Sequence, residues 1–95
     1  MSHRSQPAIS YCQAVCIHRT QHIGVHYKGK VRAVLNGPPA NRPDLKQFTL
    51  CVLDSKRRLK TVTRFPLNTR DVQVAKKLTR TILPILLVGQ KNPLF

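Results

Sequence analysis

The residues best suited to chemistry form a short cluster near the amino terminus. Two cysteines and three histidines fall within fifteen residues, namely Cys12, Cys16, His18, His22 and His26. Zinc takes four such ligands, and structural zinc sites use compact spacing. These intervals differ from the usual finger spacing, however, and the last two histidines also fit the polar face of a strand. We expect no bound metal and histidines that face solvent or nucleic acid, with a zinc site as the alternative.

The rest of the chain contains few residues that could act in catalysis. A cysteine–histidine pair needs a third group to orient the base, but the sequence has no glutamate and three aspartates. Two of these, Asp54 and Asp71, fit a turn and a helix start rather than an acid–base pair. The segment Gly37–Pro39 cannot cradle a phosphate well, because proline has no N–H to donate. We therefore predict that the protein is not an enzyme, uses no cofactor and has no small-molecule substrate.

Positive charge is the dominant property of the sequence. Seventeen lysines and arginines face three acids in 95 residues, which gives a formal net charge of +14. Such a domain repels itself unless a polyanion binds it. The predicted RNA-binding residues lie on three separate elements and are Lys28, Lys30, Arg32, Lys56, Arg57, Arg58, Lys60, Arg64, Arg70, Lys77 and Arg80. Basic turns that touch backbone phosphates indicate recognition of RNA shape rather than of base sequence.

Length and composition narrow the class of protein. A chain of 10.8 kDa can bury roughly 60–65% of its unfolded surface, enough for one domain with a thin core. The apolar run Ile82–Val88 is interrupted by Pro84 and is far shorter than the roughly 20 residues of a membrane span. Three cysteines fit a reducing compartment. The acid-poor segment 1–21 is similar in composition to an organellar presequence or to an ordinary basic extension, and both interpretations stay open.

The first third of the chain is expected to contain an arm, a helix and a sheet segment. Residues 1–10 are predicted as a flexible basic arm, and residues 11–21 as a short helix with its two cysteines on one face. From residue 23 to 35, apolar side chains occupy the odd positions, which predicts one apolar and one basic β face. This segment is either one strand with a bulge at Gly29 or a hairpin. A hairpin with a three-residue loop would form the pairs Tyr27–Val31, Val25–Ala33 and Ile23–Leu35.

A second hairpin and a helix are predicted for the rest of the chain. After a loop over about residues 36–46, a type I turn from Asp54 to Arg57 would form the pairs Val52–Leu59, Leu50–Thr61 and Phe48–Thr63. Asn68 is the predicted N-cap of a helix that runs to about Leu83 and ends or kinks at Pro84. Its expected core side consists of Val74, Ala75, Leu78 and Ile82.

The predicted fold class is α+β, with a small antiparallel sheet of three or four strands packed against one or two helices. The sheet face away from the helix would be open and basic. Residues 11–88 would form the single domain, and residues 89–95 a C-terminal tail.

The stretch from Lys30 to Val88 resembles the smaller Alu-domain subunit of the signal recognition particle. The motifs that carry the resemblance are Arg32–Leu35, Leu50–Val52 and Asp71–Val72, followed by Leu78, Ile82, Leu83 and Leu86. It implies an α-β-β-β-α order and a sheet that binds RNA together with a larger sister subunit. The chain departs from this family in having no tryptophan and in Pro84. Its Ile-Leu-Pro helix segment is also similar to that of a very small eukaryotic large-subunit ribosomal protein.

These observations favour a non-enzymatic RNA-binding structural subunit of a ribonucleoprotein particle. It would be a ribosomal or mitoribosomal protein, or an Alu-type subunit of the signal recognition particle. Its partners would be structured RNA and neighbouring subunits, in the cytoplasm or the mitochondrion, with no membrane partner. The alternative is a DNA-binding or nucleic-acid-packaging module, such as a viral one. A membrane-surface protein is less favoured, because residues 69–83 carry a basic stripe without an aromatic anchor.

Overall fold

An antiparallel sheet carries one helix on one of its faces. The computed structural model describes residues 8–54 and 61–91, with side chains as far as residue 88 in the second range. The elements are β1 (Ile9–Tyr11), β2 (Val15–Ile17), β3 (Thr20–Tyr27), β4 (Lys30–Gly37), β5 (Thr49–Leu53), β6 (Thr61–Pro66) and α1 (Val72–Lys91). The strand order is β1-β3-β4-β5-β6, and β2 also pairs with β3. The α+β class is confirmed, although the described residues form six strands and one helix.

The segment predicted as a helix, residues 11–21, is extended instead. It contains the end of β1, all of β2 and the start of β3, so no helix precedes the sheet in the described residues. Its β-branched side chains favour strands, and they are Val15, Ile17 and Thr20. The order of elements therefore differs from the α-β-β-β-α order that the resemblance implies. β1 also begins at Ile9, inside the arm predicted over residues 1–10, whose first seven residues lie outside the described part.

The alternating segment from residue 23 to 35 folds as a hairpin of β3 and β4. Two of the predicted apolar pairs are present, because Val25 pairs with Ala33 and Ile23 with Leu35. All four side chains are buried in the core that the sheet shares with α1. The prediction of an apolar face is confirmed at these four positions. We call this side of the sheet the covered face and the other side the open face.

The turn of this hairpin is shorter than the predicted three-residue loop. Tyr27 pairs with Lys30, so the predicted pair Tyr27–Val31 is wrong. Lys28 and Gly29 between them have φ of 53° and 85°, and positive φ at both positions indicates a type I′ turn. A shift in the pairing leaves Arg32 as an extra residue in β4, which returns the next residues to the covered face. The alternative of one strand with a bulge at Gly29 is therefore wrong, and the hairpin has its bulge at Arg32.

The second hairpin has a different register from the predicted one. Val52 pairs with Thr63 and Leu50 with Phe65, four residues further along the chain than expected. The prediction assumed a tight turn after Asp54, but β6 begins only at residue 61, and residues 55–60 lie outside the described part. Side chains alternate with a period of two, so a shift of four keeps each side chain of β6 on the same side of the sheet. The apolar pattern could not distinguish these registers.

The N-cap of α1 is Asp71 and not Asn68. The carboxylate Oδ1 of Asp71 accepts a hydrogen bond from the Gln73 N–H at 2.8 Å. The Asp71 carbonyl oxygen accepts the first helical hydrogen bond from Ala75 at 2.9 Å. The Asp71 N–H itself donates to Thr69 Oγ1 at 3.1 Å. Asn68 lies earlier in the connection, in the left-handed region with φ 56°, and so cannot start the helix.

Helix α1 passes through Pro84 instead of ending near Leu83. Proline has no N–H, so the carbonyl oxygen of Arg80 lacks the donor that helical geometry would otherwise supply. Leu83 and Leu87 lie on the two sides of this break and are 0% and 2% exposed, so core packing holds both turns in place. The helix reaches Lys91 and thereby includes the start of the tail predicted over residues 89–95, of which 92–95 lie outside the described part.

The core side of α1 is rotated relative to the predicted one. Its fully buried stripe consists of Ala75, Thr79, Leu83 and Leu87. Val74, predicted to be in the core, is 41% exposed, while Leu78 and Ile82 pack partly against the core. Thr79 is accommodated because its hydroxyl donates to the Ala75 carbonyl oxygen at 2.8 Å. Because Thr79 is polar, the apolar pattern of the sequence does not identify this side of the helix as the buried one.

Candidate nucleic-acid interface

The predicted cationic residues lie at turns, at edges and on the helix. Lys28 and Lys30 are exposed at the β3–β4 turn, Arg32 is half-buried at the bulge, Arg64 is exposed on β6, Arg70 precedes α1, and Lys77 and Arg80 are exposed on α1. Lys56, Arg57, Arg58 and Lys60 lie outside the described residues. The structure therefore brings the described candidates to several places rather than to one continuous face.

The open face of the sheet differs from the basic surface that the alternation predicted. Its central positions carry uncharged side chains, which include Val34, Asn36 and Cys51. Asn36 Nδ2 donates to the Cys51 sulfur at 3.4 Å, and burial raises the pKa of this thiol, with Arg64 acting in the opposite direction. The short turn places Lys28 in the turn itself and pairs Lys30 with Tyr27, a residue of the covered face. Lys28 and Lys30 therefore do not add charge to the open face.

Tyr11 joins the edge of the sheet to the helix. It lies opposite Val25 on the covered face of β1, where α1 passes the sheet edge. Its hydroxyl donates a hydrogen bond to the carbonyl oxygen of Lys76 at 2.6 Å. Burial raises the pKa of Tyr11, and the charge of Arg80 partly opposes this shift. The phenol is therefore neutral at physiological pH and holds β1 against the amino-terminal part of α1.

Two cations of α1 lie over the ring of Tyr11. Lys76 Nζ is 5.2 Å from the ring centroid, and the guanidinium carbon of Arg80 is 5.4 Å from it. Both distances are within the roughly 6 Å range of cation–π interactions. The two residues are one helical turn apart, and like charges at that spacing repel each other. The ring thus holds together two cations that an anion would further stabilise.

A second tyrosine with a cation lies next to this site. Lys28 Nζ is 5.4 Å from the ring centroid of Tyr27. Ile9 pairs with Tyr27 and Tyr11 with Val25, so the two tyrosines are diagonal neighbours on the same face. Such neighbours are roughly 7–8 Å apart. We call the resulting group of Tyr11, Tyr27, Lys28, Lys76 and Arg80 the tyrosine–cation cluster.

Three members of this cluster are not among the residues predicted from the sequence. The sequence predicts a helix around Tyr11, places Tyr27 only on the apolar face of a strand, and gives a helix phase that does not single out Lys76. The alternation of Ile9 and Tyr11 around a serine was the available signal for a strand. The i,i+4 spacing of Lys76 and Arg80 was the signal for a pair on one helix face.

Two of the three aspartates are engaged away from the cluster. Arg42 makes a two-point contact with Asp44, with Nε and a terminal nitrogen each 3.0 Å from a carboxylate oxygen. This hydrogen bonding lowers the pKa of Asp44 and raises that of Arg42. Asp71 caps the helix. With seventeen basic residues and three acids in the chain, most cations cannot have a carboxylate partner.

The cysteine–histidine cluster of the sequence is dispersed in the fold. Cys12 Sγ lies 3.5 Å from His26 Nδ1 on the open face. Cys16 on β2 pairs with Gln21 on β3, and His18 occupies the β2–β3 turn. In the described ranges, no three histidine, cysteine or acidic residues are grouped so as to hold a metal ion.

The tyrosine–cation cluster is suited to binding an extended anion at the β1 edge.

Nothing in the part of the chain that the structure describes forms a helix long and apolar enough to cross a membrane. Comparison with protein-family models, with curated proteins and with solved structures gives no match for this chain.

Proposed function

We propose that the protein is a non-enzymatic, RNA-binding structural subunit of a ribonucleoprotein particle in the cytoplasm or the mitochondrion. A ribosomal or mitoribosomal protein and an Alu-type subunit of the signal recognition particle are the two concrete forms. The observation that carries the proposal is the tyrosine–cation cluster, which holds three cations at one edge of a protein with a net charge of +14.

Phosphate is the anion that fits the cluster best. Arg80 offers a planar fork that binds phosphate oxygens at two points, while Lys28 and Lys76 act as point charges. The hydrogen bond from Tyr11 to the helix fixes the ring under two of these cations. Because the cations are already positioned, binding costs less side-chain entropy than it would for freely rotating lysines.

The cluster favours contact with the RNA backbone over stacking of bases. Cations lie over the two tyrosine rings, which limits their use as stacking platforms. Backbone contacts position a protein on a folded RNA and carry no direct sequence information. This supports a scaffolding role on structured RNA, in contact with neighbouring subunits.

The test is RNA binding by the double variant Lys76→Ala, Arg80→Ala. Both substitutions leave the Lys76 carbonyl and the Tyr11 hydrogen bond in place, so the fold should persist. We expect the affinity for a structured RNA to fall by roughly tenfold or more, because two phosphate contacts are lost. The plot of log affinity against log salt should become shallower by about 1–2.

The matched control removes two positive charges at the other end of β3, in the variant Arg19→Ala, Lys46→Ala. Lys46 Nζ donates to the Thr20 hydroxyl at 2.6 Å, well away from the Tyr27 end of that strand. Equal losses of affinity in both variants would show that only net charge matters and would overturn the assigned interface. Preference for duplex DNA over structured RNA at one fixed salt concentration would favour the nucleic-acid-packaging alternative.

A further inference from the structure

A cavity of 470 Å³ opens beside the start of α1, at the end of β3 opposite Tyr27. Its apolar walls include Pro38, Pro39, Phe48 and Val72. Its volume is within the roughly 300–1,000 Å³ typical of small-ligand pockets. The tyrosine–cation cluster and the cavity share no residue.

The walls of this cavity are held in place by the fold. Pro38 and Phe48 are almost completely buried. Gln21 Nε2 donates to the Pro38 carbonyl oxygen at 3.0 Å, and the Phe48 N–H donates to the Thr69 carbonyl oxygen at 2.7 Å. The Phe48 ring packs so closely on Gly37 that a Cβ there would lie 2.2 Å from it. The cavity is therefore preformed, and a ligand would not have to order its walls.

The charge around the cavity is balanced, unlike that of the rest of the molecule. Arg70 and Asp71 line this cavity. The pKa of Asp44 is lowered by hydrogen bonding to Arg42, and the charges of Arg42 and Arg70 act in the same direction. Two of the three acids of the chain are thus near this one cavity, each beside an arginine. A phosphate would gain little here. A neutral group with both donors and acceptors on its edge would suit the guanidinium and carboxylate of the rim.

We infer that this cavity binds one unpaired nucleobase of the RNA as a neutral planar heterocycle. The inference rests on the proposed function for the presence of RNA. Sequence-specific RNA recognition mostly targets bases that are splayed out of loops and bulges. The accessible faces of Pro39 and Pro43 and the side chain of Val72 provide apolar surface for such a base over buried Phe48, and Arg70 and Asp71 provide polar contacts for its edge. The two sites thus bind different parts of the RNA: the tyrosine–cation cluster contacts phosphates, and the cavity contacts a base.

Free nucleosides test this assignment, because they carry a base and no phosphate. We titrate the four ribonucleosides into the full chain and follow amide signals by NMR at 0.1 M and 0.5 M NaCl. Signals of Pro39 neighbours such as Ala40, and of Arg70 and Val72, are expected to shift with at least one nucleoside, with the same apparent affinity at both salt concentrations. Ala40→Trp, which fills the cavity from its exposed rim, should abolish the shifts. Thr81→Trp, on the exposed side of α1, should retain them.

An RNA hairpin with or without one bulged nucleotide provides the second readout. The wild-type chain should prefer the bulged form by roughly tenfold, as expected for one bound base, and Ala40→Trp should bind both forms equally. Absence of nucleoside shifts, or loss of them at the higher salt concentration, would overturn the inference. Shifts produced by N-acetyl-tryptophanamide and by no nucleoside would instead identify the occupant as a protein side chain and also overturn it. Salt-dependent binding of the unbulged hairpin tests the proposed function separately.

Discussion

Tyr11 is the residue on which the proposed interface depends most, because it has two separable roles. Its hydroxyl joins β1 to α1, and its ring lies under Lys76 and Arg80. Tyr11→Phe removes the first role and keeps most of the second. We expect the free energy of unfolding at pH 7 to fall by roughly 0.5–1.5 kcal/mol, the usual net value of one hydrogen bond. Urea denaturation measures this loss, and RNA affinity should change little.

The stabilisation that the Tyr11 hydroxyl supplies depends on pH. Burial raises the pKa of Tyr11 above its ordinary value of 10.0, with Arg80 opposing the shift. A raised pKa means that the folded state holds its proton more tightly than the unfolded state. The stabilisation is therefore complete below pH 10 and is lost as the pH rises through the folded-state pKa. The stability difference between the wild type and Tyr11→Phe should narrow above pH 10, and a constant difference up to pH 11.5 would contradict this account.

Single residues also explain why parts of the site could not be predicted from the sequence. The β2–β3 turn uses His18 and Arg19 at φ of 51° and 62°, where glycine or asparagine is usual. Nothing in the local sequence indicates a type I′ turn there, and the strain must be offset by strand pairing. Lys28-Gly29 adopts the same geometry with a glycine, and that turn was at least recognisable as a hairpin candidate.

At the scale of elements, the sequence predicted faces better than it predicted registers. Ile23, Val25, Ala33 and Leu35 are buried as expected, because a period of two defines a face directly. Val31 instead pairs with His26, because it precedes the bulge. The bulge at Arg32 could not be read from the pattern, since it adds one residue and restores the face afterwards. The apolar pattern also does not give the length of the connection between β5 and β6. The positions of Lys28 and Lys30 could not be predicted for the same reason, because they depend on the turn and on the register.

The helix shows the same limit. Its existence, its approximate start and its basic exposed side were predictable from spacing alone. The exact phase was not, because the buried stripe includes Thr79, and the cap was misassigned by three residues. Continuation through Pro84 depends on burial of Leu83 and Leu87, a tertiary effect that local propensity does not contain.

The phase of α1 yields a direct test with two substitutions that each remove apolar side-chain volume. Leu83 is 0% exposed and Val74 is 41% exposed. Leu83→Ala should lower the free energy of unfolding by roughly 2–5 kcal/mol, the range for emptying a buried leucine site. Val74→Ala should change it by less than about 0.5 kcal/mol, as is usual for surface substitutions.

Thermal or urea denaturation of both variants provides the measurement. For a domain of this size, the loss in Leu83→Ala is a large part of the total stability. RNA binding should weaken in that variant as well, because the tyrosine–cation cluster exists only while α1 is docked on the sheet. Comparable destabilisation by the two substitutions would show that the helix is rotated relative to the structure described above.

At the scale of the whole molecule, charge is distributed unevenly over a thin two-layer body. The shortest dimension is 20 Å, about the thickness of one sheet plus one helix. Lys76 and Arg80 lie over Tyr11 at the β1 edge and Lys28 lies at the β3–β4 turn, whereas Arg42 is paired with Asp44 in the loop between β4 and β5. A body this thin has little core to offset the mutual repulsion of its charges. Stability and binding should therefore respond to salt in opposite directions.

Without RNA, raising NaCl from 0.1 M to 1 M should increase the melting temperature. The Debye length falls from about 10 Å to about 3 Å, which screens repulsion among the exposed cations. If 1 kcal/mol of repulsion is screened, the increase is roughly 4–8 °C for a domain of this size. Sodium chloride is the appropriate salt, because sulfate would add a separate stabilisation through exclusion from the protein surface.

With RNA present in excess, the melting temperature should start higher at 0.1 M NaCl, because a ligand that binds only the folded state stabilises it. This increment should shrink as salt rises, since each phosphate contact releases counterions and is weakened by added salt. The curves with and without RNA should therefore converge towards 1 M. In Lys76→Ala, Arg80→Ala the RNA-free curve should be flatter and the RNA increment smaller at every salt concentration. A melting temperature without RNA that is independent of salt would show that self-repulsion is negligible, and the need for a polyanion would then lose its physical basis.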